Sequence, residues 1–361
     1  MKVAAVQLTA GPDAAANRRR ARALLTEAAR SGARVVLLPE MYAVPFVQPD
    51  PDPDYFAHAE PLDGPSNAVA REVSAEYGIT VVSSVFEAAA VPGVHHNTAC
   101  TFVNGERAAV YRKSHLPFSN GFPEKYYFRP GGSPPVVTRT GDVALGTIIC
   151  YERHFPELGR LVALGGASLM CVPVASASAP MREVFQLELR AQAVFNGLYV
   201  VCANRTGTEG VKRYFGTSAV YGPDGEILAE AGQDGEEVVL AEIDPEHAAR
   251  APAAPARSCA TAGRTCTAGS RRTAPERPRA RPRCRPASTC GTFGSPQRGG
   301  RGARYQDRFR LPTRRGSGRR AARRGVPHRR PARLEHLRLC AQCGVKPRAA
   351  ACPKTRRERC A

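Results

Sequence analysis

A chain of 361 residues with a formal net charge of +20 is long enough to bury a substantial core, and its charge at first suggests a nucleic-acid partner. That charge is uneven: residues 1–250 hold 22 Lys and Arg against 28 Asp and Glu, and the remainder holds 30 against 4. The first part is therefore a mildly acidic globular sequence. Its four widely spaced cysteines exclude a disulfide framework, and no apolar run approaches the ~18 residues of a membrane span.

KVAAVQLT (2–9) predicts a buried strand, and Gln7 breaks the apolar run too early for a signal peptide. An amphipathic helix over 17–33 leads to the apolar strand RVVLLPE (34–40). A helix over 65–78 and a strand over 79–88 follow. HNTACTFV (96–103) and RAAVYRK (107–113) pair across Asn-Gly as a hairpin. VALGTIIC (143–150) predicts a strand, PELGRLVALGG a helix, ASLMCVPV (167–174) a strand, 181–197 a helix and LYVVCANR (198–205) a strand. A hairpin over 216–231 turns on Pro-Asp-Gly, and EEVVLAEID (236–244) closes the set. Strands alternating with helices, with hairpins between, predict an α/β fold with mixed sheets.

Several of these strands end in reactive residues: Glu40, Lys113, Cys150 and Asn204. Ligands of open α/β sheets gather at the carboxyl ends of strands. Taken alone, Cys150 reads as a core thiol, the commonest fate of a free cysteine. As a nucleophile it needs a base and gains from a nearby cation, because only a few per cent of an ordinary thiol is ionised at neutral pH. Glu40 and Lys113 fit those roles; His115 or His154 in a Cys–His arrangement is the alternative. Cys171 and Cys202, in mid-strand, read as core. No GxGxxG follows the first strand, which disfavours a dinucleotide-binding enzyme.

Glu40 in VVLLPEMY, Lys113 in YRKSHLP and Cys150 in GTIICYERHFPE together resemble, in order and spacing, the three motifs of the nitrilase or carbon–nitrogen hydrolase superfamily. The resemblance covers about residues 1–245. It implies a four-layer αββα sandwich, pairing into homodimers or larger homo-oligomers, with a Glu–Lys–Cys triad and no metal or other cofactor. It also implies that Glu124, in GFPEKYYFRPG, is a second catalytic glutamate, and that the Tyr151 N–H helps Lys113 hold an oxyanion. His115 and His154 are expected as supporting hydrogen-bonders.

Arg153, three residues past Cys150, offers a fork for a carboxylate. Together with CANRTGTE it looks like the branch that hydrolyses N-carbamoyl (ureido) acids to an amine, CO2 and ammonia. N-carbamoylputrescine and simple aliphatic amides are the alternative substrates, and a structural ion pair is the alternative role for Arg153. A cytoplasmic location is expected.

From 246 to 361 the chain is rich in Arg, Pro and Ala and reads as a low-complexity tail, too poor in apolar residues to order itself. It fits a nucleic-acid-binding arm, a zinc site using Cys340, Cys343, Cys352 and Cys360, or an out-of-frame translation of a GC-rich gene. The last fits the composition best.

Overall fold

The computed structural model describes residues 1–119, 121–177 and 179–250; the arginine-rich segment beyond, with Cys340, Cys343, Cys352 and Cys360, lies outside the described residues. In chain order the elements are β1 (Lys2–Gln7), α1 (Ala14–Arg30), β2 (Ala33–Leu37), α2 (Pro65–Tyr77), β3 (Thr80–Ala88), β4 (His95–Val103), β5 (Glu106–Arg112), α3 (Glu124–Tyr127), β6 (Val137–Thr140) and β7 (Val143–Thr147). There follow α4 (Pro156–Leu164), β8 (Leu169–Pro173), α5 (Arg182–Asn196), β9 (Tyr199–Ala203), β10 (Thr206–Glu209), β11 (Lys212–Phe215), β12 (Ala219–Tyr221), β13 (Ile227–Glu230), β14 (Glu237–Glu242) and α6 (Pro245–Arg250).

Two six-stranded mixed sheets, ordered β14-β1-β2-β3-β4-β5 and β13-β12-β9-β8-β7-β6, form the centre. Alternation along each strand divides its side chains between two faces. Val3 and Ala5 of β1 pack with Leu169 and Cys171 of β8 and Val201 of β9, between the sheets. The opposite faces bury Ala4 and Val6 against Leu25 and Val73 of α1 and α2, and Met170 and Val172 against Val162 and Leu189 of α4 and α5. Apolar residues on both faces of the strands thus produce the αββα layering. Among the described residues no helix is long and apolar enough to cross a membrane.

Local signals account for most boundaries. Helix α1 begins three residues before the expected start because the Asp13 carboxylate accepts the backbone N–H groups of Ala15 and Ala16. The β4–β5 hairpin turns on Asn104 and Gly105, whose φ values of +50° and +87° are those a two-residue type I′ turn needs. Two strand ends differ from expectation: β2 stops at Leu37 and β7 at Thr147, each three residues short of its reactive residue. The β10–β11 hairpin and strand β6 go beyond the strands the sequence predicts, because their four-residue strands are too short or too polar to show an alternating apolar pattern.

Candidate active site

Glu40 lies where the two sheets meet. Its N–H donates to Val174 O, beyond β8, at 3.4 Å, and Met41 after it has a left-handed φ of +47°. Such a conformation costs a non-glycine residue on the order of 1–2 kcal/mol and persists only where neighbours over-determine it. Here the neighbour is Arg205, fully buried just past β9. Its guanidinium donates to Glu40 O (2.9 and 3.1 Å), Met41 O (2.5 Å) and Val44 O (2.9 Å), and its Nη1 pairs with Glu209 at 2.7 and 2.8 Å. Glu209 in turn accepts the N–H groups of Ala10 and Phe46.

Lys113 follows β5 directly and is 0% exposed. Its ammonium donates to Glu40 Oε1 at 2.8 Å and to both Glu124 oxygens at 2.8 and 2.9 Å. Asn97 of β4 donates its Nδ2 to Glu40 Oε1 at 2.7 Å and to Glu124 Oε2 at 3.5 Å. Burial works against the charge on Lys113, but Glu124 and then Glu40 outweigh it and raise its pKa. Burial pushes Glu124 above the usual carboxyl range; Lys113 opposes this and Glu40 adds to it. Glu40 Oε2 has no hydrogen-bond donor, so it is the oxygen open to an incoming proton.

Cys150 does not end a strand. It opens a short 3₁₀ turn, Cys150–His154, with a left-handed φ of +49°, and its thiol lines a pocket. Burial pushes that thiol up to about 12; Glu40 adds to the rise and Lys113 opposes it. The resting sulfur is thus protonated and requires a base. Tyr151 lies in the first turn of the 3₁₀ segment, where an N–H has no acceptor one turn back.

Glu152, fully buried, joins the lysine segment to the cysteine turn. Its Oε1 accepts Tyr111 Oη (2.8 Å), Ser114 N (2.7 Å), Ser114 Oγ (2.7 Å) and His115 N (3.2 Å), and its Oε2 accepts Ile149 N (2.7 Å).

The pocket, of about 270 Å³, has apolar walls that include Phe122, Ala175, Ala177, Phe185 and Phe215, while Glu124, Cys150, Tyr151, Arg153 and His154, with Ser119 and Ser176, supply its polar groups. Arg153 reaches it, but its Nε lies 2.9 Å from Glu188 Oε2 of α5, as an ion pair without good hydrogen-bond alignment. Its Nη1 donates to Cys150 O at 3.1 Å. His154 Nδ1 also meets Glu188, at 2.5 Å. His115 lies against Phe155, with ring centroids 4.0 Å apart and planes tilted by 30°, and is bonded to Ser114 Oγ at 2.8 Å. Neither histidine has a hydrogen bond to Cys150.

Asn204 brackets backbone rather than facing the pocket: its Oδ1 accepts Ser176 N and its Nδ2 donates to Gly216 O. Tyr127 belongs to an aromatic cluster with Tyr55 and Phe56. Cys171 and Cys202 are fully buried core residues.

The structure thus brings Glu40, Lys113, Glu124 and Cys150 together and adds four residues that sequence reading missed. Asn97 had a faint signal, an amide inside a strand, where Asn is depleted. Glu152, Arg205 and Glu188 had none, because the contacts that tie them to the site reach across the chain, from Arg205 to Glu40, from Glu152 to Ser114 and from Glu188 to Arg153.

Comparison with known proteins identifies the family and the fold. Residues 2–253 match the sequence profile of the carbon-nitrogen hydrolase family. An N-carbamoylputrescine amidase from Arabidopsis thaliana is 31% identical over 258 residues, covering 67% of this chain and 86% of that protein. A citrullinase from Francisella tularensis is 30% identical over 255 residues, covering 68% and 89%. A carbon-nitrogen hydrolase structure from Helicobacter pylori superposes with a TM-score of 0.65 at 28% identity, covering 69% of this chain and 91% of that one. An amidase from Nesterenkonia sp. AN1, solved with acrylamide added to its active-site cysteine, gives a TM-score of 0.61 at 29% identity and covers 72% and 99%.

Proposed function

The chain belongs to the carbon-nitrogen hydrolase family, and from that premise we propose that it hydrolyses a terminal N-carbamoyl (ureido) group through a Glu40–Lys113–Cys150 triad. The observation that carries the triad is the buried cluster itself: Lys113 between two carboxylates, the open Oε2 of Glu40, and Cys150 beside them on a left-handed turn.

Glu40 takes the thiol proton as sulfur attacks the ureido carbon. The charge of the Lys113 ammonium and the Tyr151 N–H stabilise the developing oxyanion, where preorganised groups are worth most. Ammonia departs with the proton from Glu40, leaving a carbamoyl thioester on Cys150. Glu40 then activates water, the thioester is cleaved, and the released carbamic acid splits into amine and CO2. Glu124, bound to Lys113 through both oxygens, keeps the ammonium in place throughout.

The ureido assignment draws on the Cys-Tyr-X-Arg-His sequence and on the two relatives, whose names denote ureido compounds. A second reading, hydrolysis of simple aliphatic amides, is favoured by the small apolar pocket and by the Nesterenkonia amidase. Ammonia release from N-carbamoyl acids, N-carbamoyl amines, simple amides and nitriles separates the two. Ureido compounds should lead by at least tenfold in kcat/KM; turnover of amides alone would remove the ureido assignment. Cys150→Ala should abolish turnover with the fold intact, and retained activity would remove the mechanism.

A further inference from the structure

Among the described residues that line the pocket, Arg153 is the sole lysine or arginine. Lys113 lies between Glu40 and Glu124. Lys212 sits behind the Phe122 ring, 3.8 Å from its centroid, donates to Val47 O, and is pushed down by burial to about 8. Of the lysines and arginines near the pocket, Arg153 is therefore the one placed to attract an anionic substrate tail. That guanidinium is engaged on three sides: Glu188 at Nε, Cys150 O at Nη1, and the Phe185 ring 5.0 Å from its carbon.

We propose that Glu188 is a specificity-determining residue, which pairs with Arg153 and so biases the pocket toward substrates whose far end is neutral or cationic rather than a carboxylate. This rests on the hydrolase reading of the pocket and replaces the expectation that Arg153 grips a substrate carboxylate. The chemistry is direct. A carboxylate entering the pocket meets a cation whose charge is already matched, and it must displace Glu188 or approach it as a like charge.

Glu188 acts through Arg153 and does not itself line the pocket. Its position is fixed: α5 is anchored to the turn bearing Arg153 by Gln192 Nε2, which donates to Arg153 O at 3.2 Å. The Gln192 side chain lies over Gly159 of α4, where a Cβ would come within 2.0 Å of Gln192 Oε1. Glu188 also meets His154, which lines the same pocket, so the carboxylate is held from two sides.

The test uses three ureido compounds of equal chain length ending in carboxylate, methyl or ammonium, and a matching series of three primary amides, with kcat and KM read from ammonia release. The wild-type enzyme should show a KM for the carboxylate-ended compound about tenfold or more above that of the methyl-ended one. Glu188→Gln keeps the shape and removes the charge; it should lower the carboxylate-ended KM about tenfold while raising the ammonium-ended one, so the order of preference inverts. The readout is the ratio of the three KM values within one variant, which a uniform loss of active enzyme leaves unchanged.

Arg153→Gln, as a second variant, should move preference the opposite way, toward the ammonium end. Equal changes on all three tails in Glu188→Gln, or a wild-type preference for carboxylate, would overturn the proposal. If only the amide series turns over, the ureido assignment falls and the same three-tail comparison on amides still decides the role of Glu188.

Discussion

Arg205 immediately precedes the β10–β11 hairpin and Arg213 lies in its second strand; each faces a carboxylate across a short gap, yet one pair is sealed from solvent and the other is largely exposed. The side chains of Arg205 and Glu209 are 0% exposed; those of Arg213 and Asp234 are 74% and 68% exposed. Arg205 adds three backbone carbonyls to its ion pair and so fixes the turn that carries Glu40. Among the described residues, the side chain of Arg213 bonds to its carboxylate alone. The difference teaches where polar groups do structural work in this molecule. A buried charge must be satisfied on every side, so its partners become rigid, and the reacting groups are mounted on those partners. An exposed pair is screened, and water replaces either member.

The largest effect is expected from Arg205→Met. It conserves much of the volume but strands Glu209 as an uncompensated buried charge and frees the carbonyls of Glu40, Met41 and Val44. Breaking a buried pair in this way costs about 3–5 kcal/mol. Urea unfolding should show that loss with little change in slope. A loss below about 1 kcal/mol would mean that burial is not what separates the two pairs. Arg205→Met with Glu209→Gln should cost less than Arg205→Met alone, since both charges are then gone.

Glu152→Gln should come next. The carboxylate receives five hydrogen bonds, and an amide in its place turns an N–H2 toward donors it cannot accept. Charge-assisted hydrogen bonds are worth about 1.5–3 kcal/mol, so a stability loss of about 2–3 kcal/mol is expected. Because Glu152 ties the Lys113 segment to the Cys150 turn, kcat should fall by about ten- to a hundredfold, with KM far less affected. A change confined to KM would show that Glu152 shapes the pocket rather than the alignment of the triad.

How much of this was legible in the sequence follows the same division. Local signals carried the elements: Asp13 ahead of α1, Asn104-Gly105 between β4 and β5, and alternating apolar residues in the central strands. Glu40, Lys113 and Cys150 were visible because each sits within a few residues of a recognisable strand. The lattice around them was not. Arg205 lies 165 residues from the Glu40 carbonyl it binds, and Glu152 lies 38 from Ser114. No short window contains both members of such a pair. Arg153 shows the converse: its neighbour Cys150 drew attention to it in the sequence, while the carboxylate it pairs with, Glu188, lies beyond α4 and β8 in the chain and gives no local sign of the contact.

The smallest effect is expected from Arg213→Ala. The pair it removes is solvated on both sides, and exposed ion pairs are worth about 0–1 kcal/mol, less as salt rises. Unfolding of the variant should therefore stay within about 0.5 kcal/mol of the wild type, and the gap should close further at high ionic strength. Activity should be unaffected, since Arg213 neither lines the pocket nor bonds to the Glu40 turn. A loss comparable to that of Arg205→Met would mean that the hairpin depends on its ion pairs regardless of burial, and the contrast between its two arginines would fail. A near-silent variant beside a severe Arg205→Met would place the hairpin's contribution to the site in one side chain, the arginine that follows β9 and supports the backbone of Glu40.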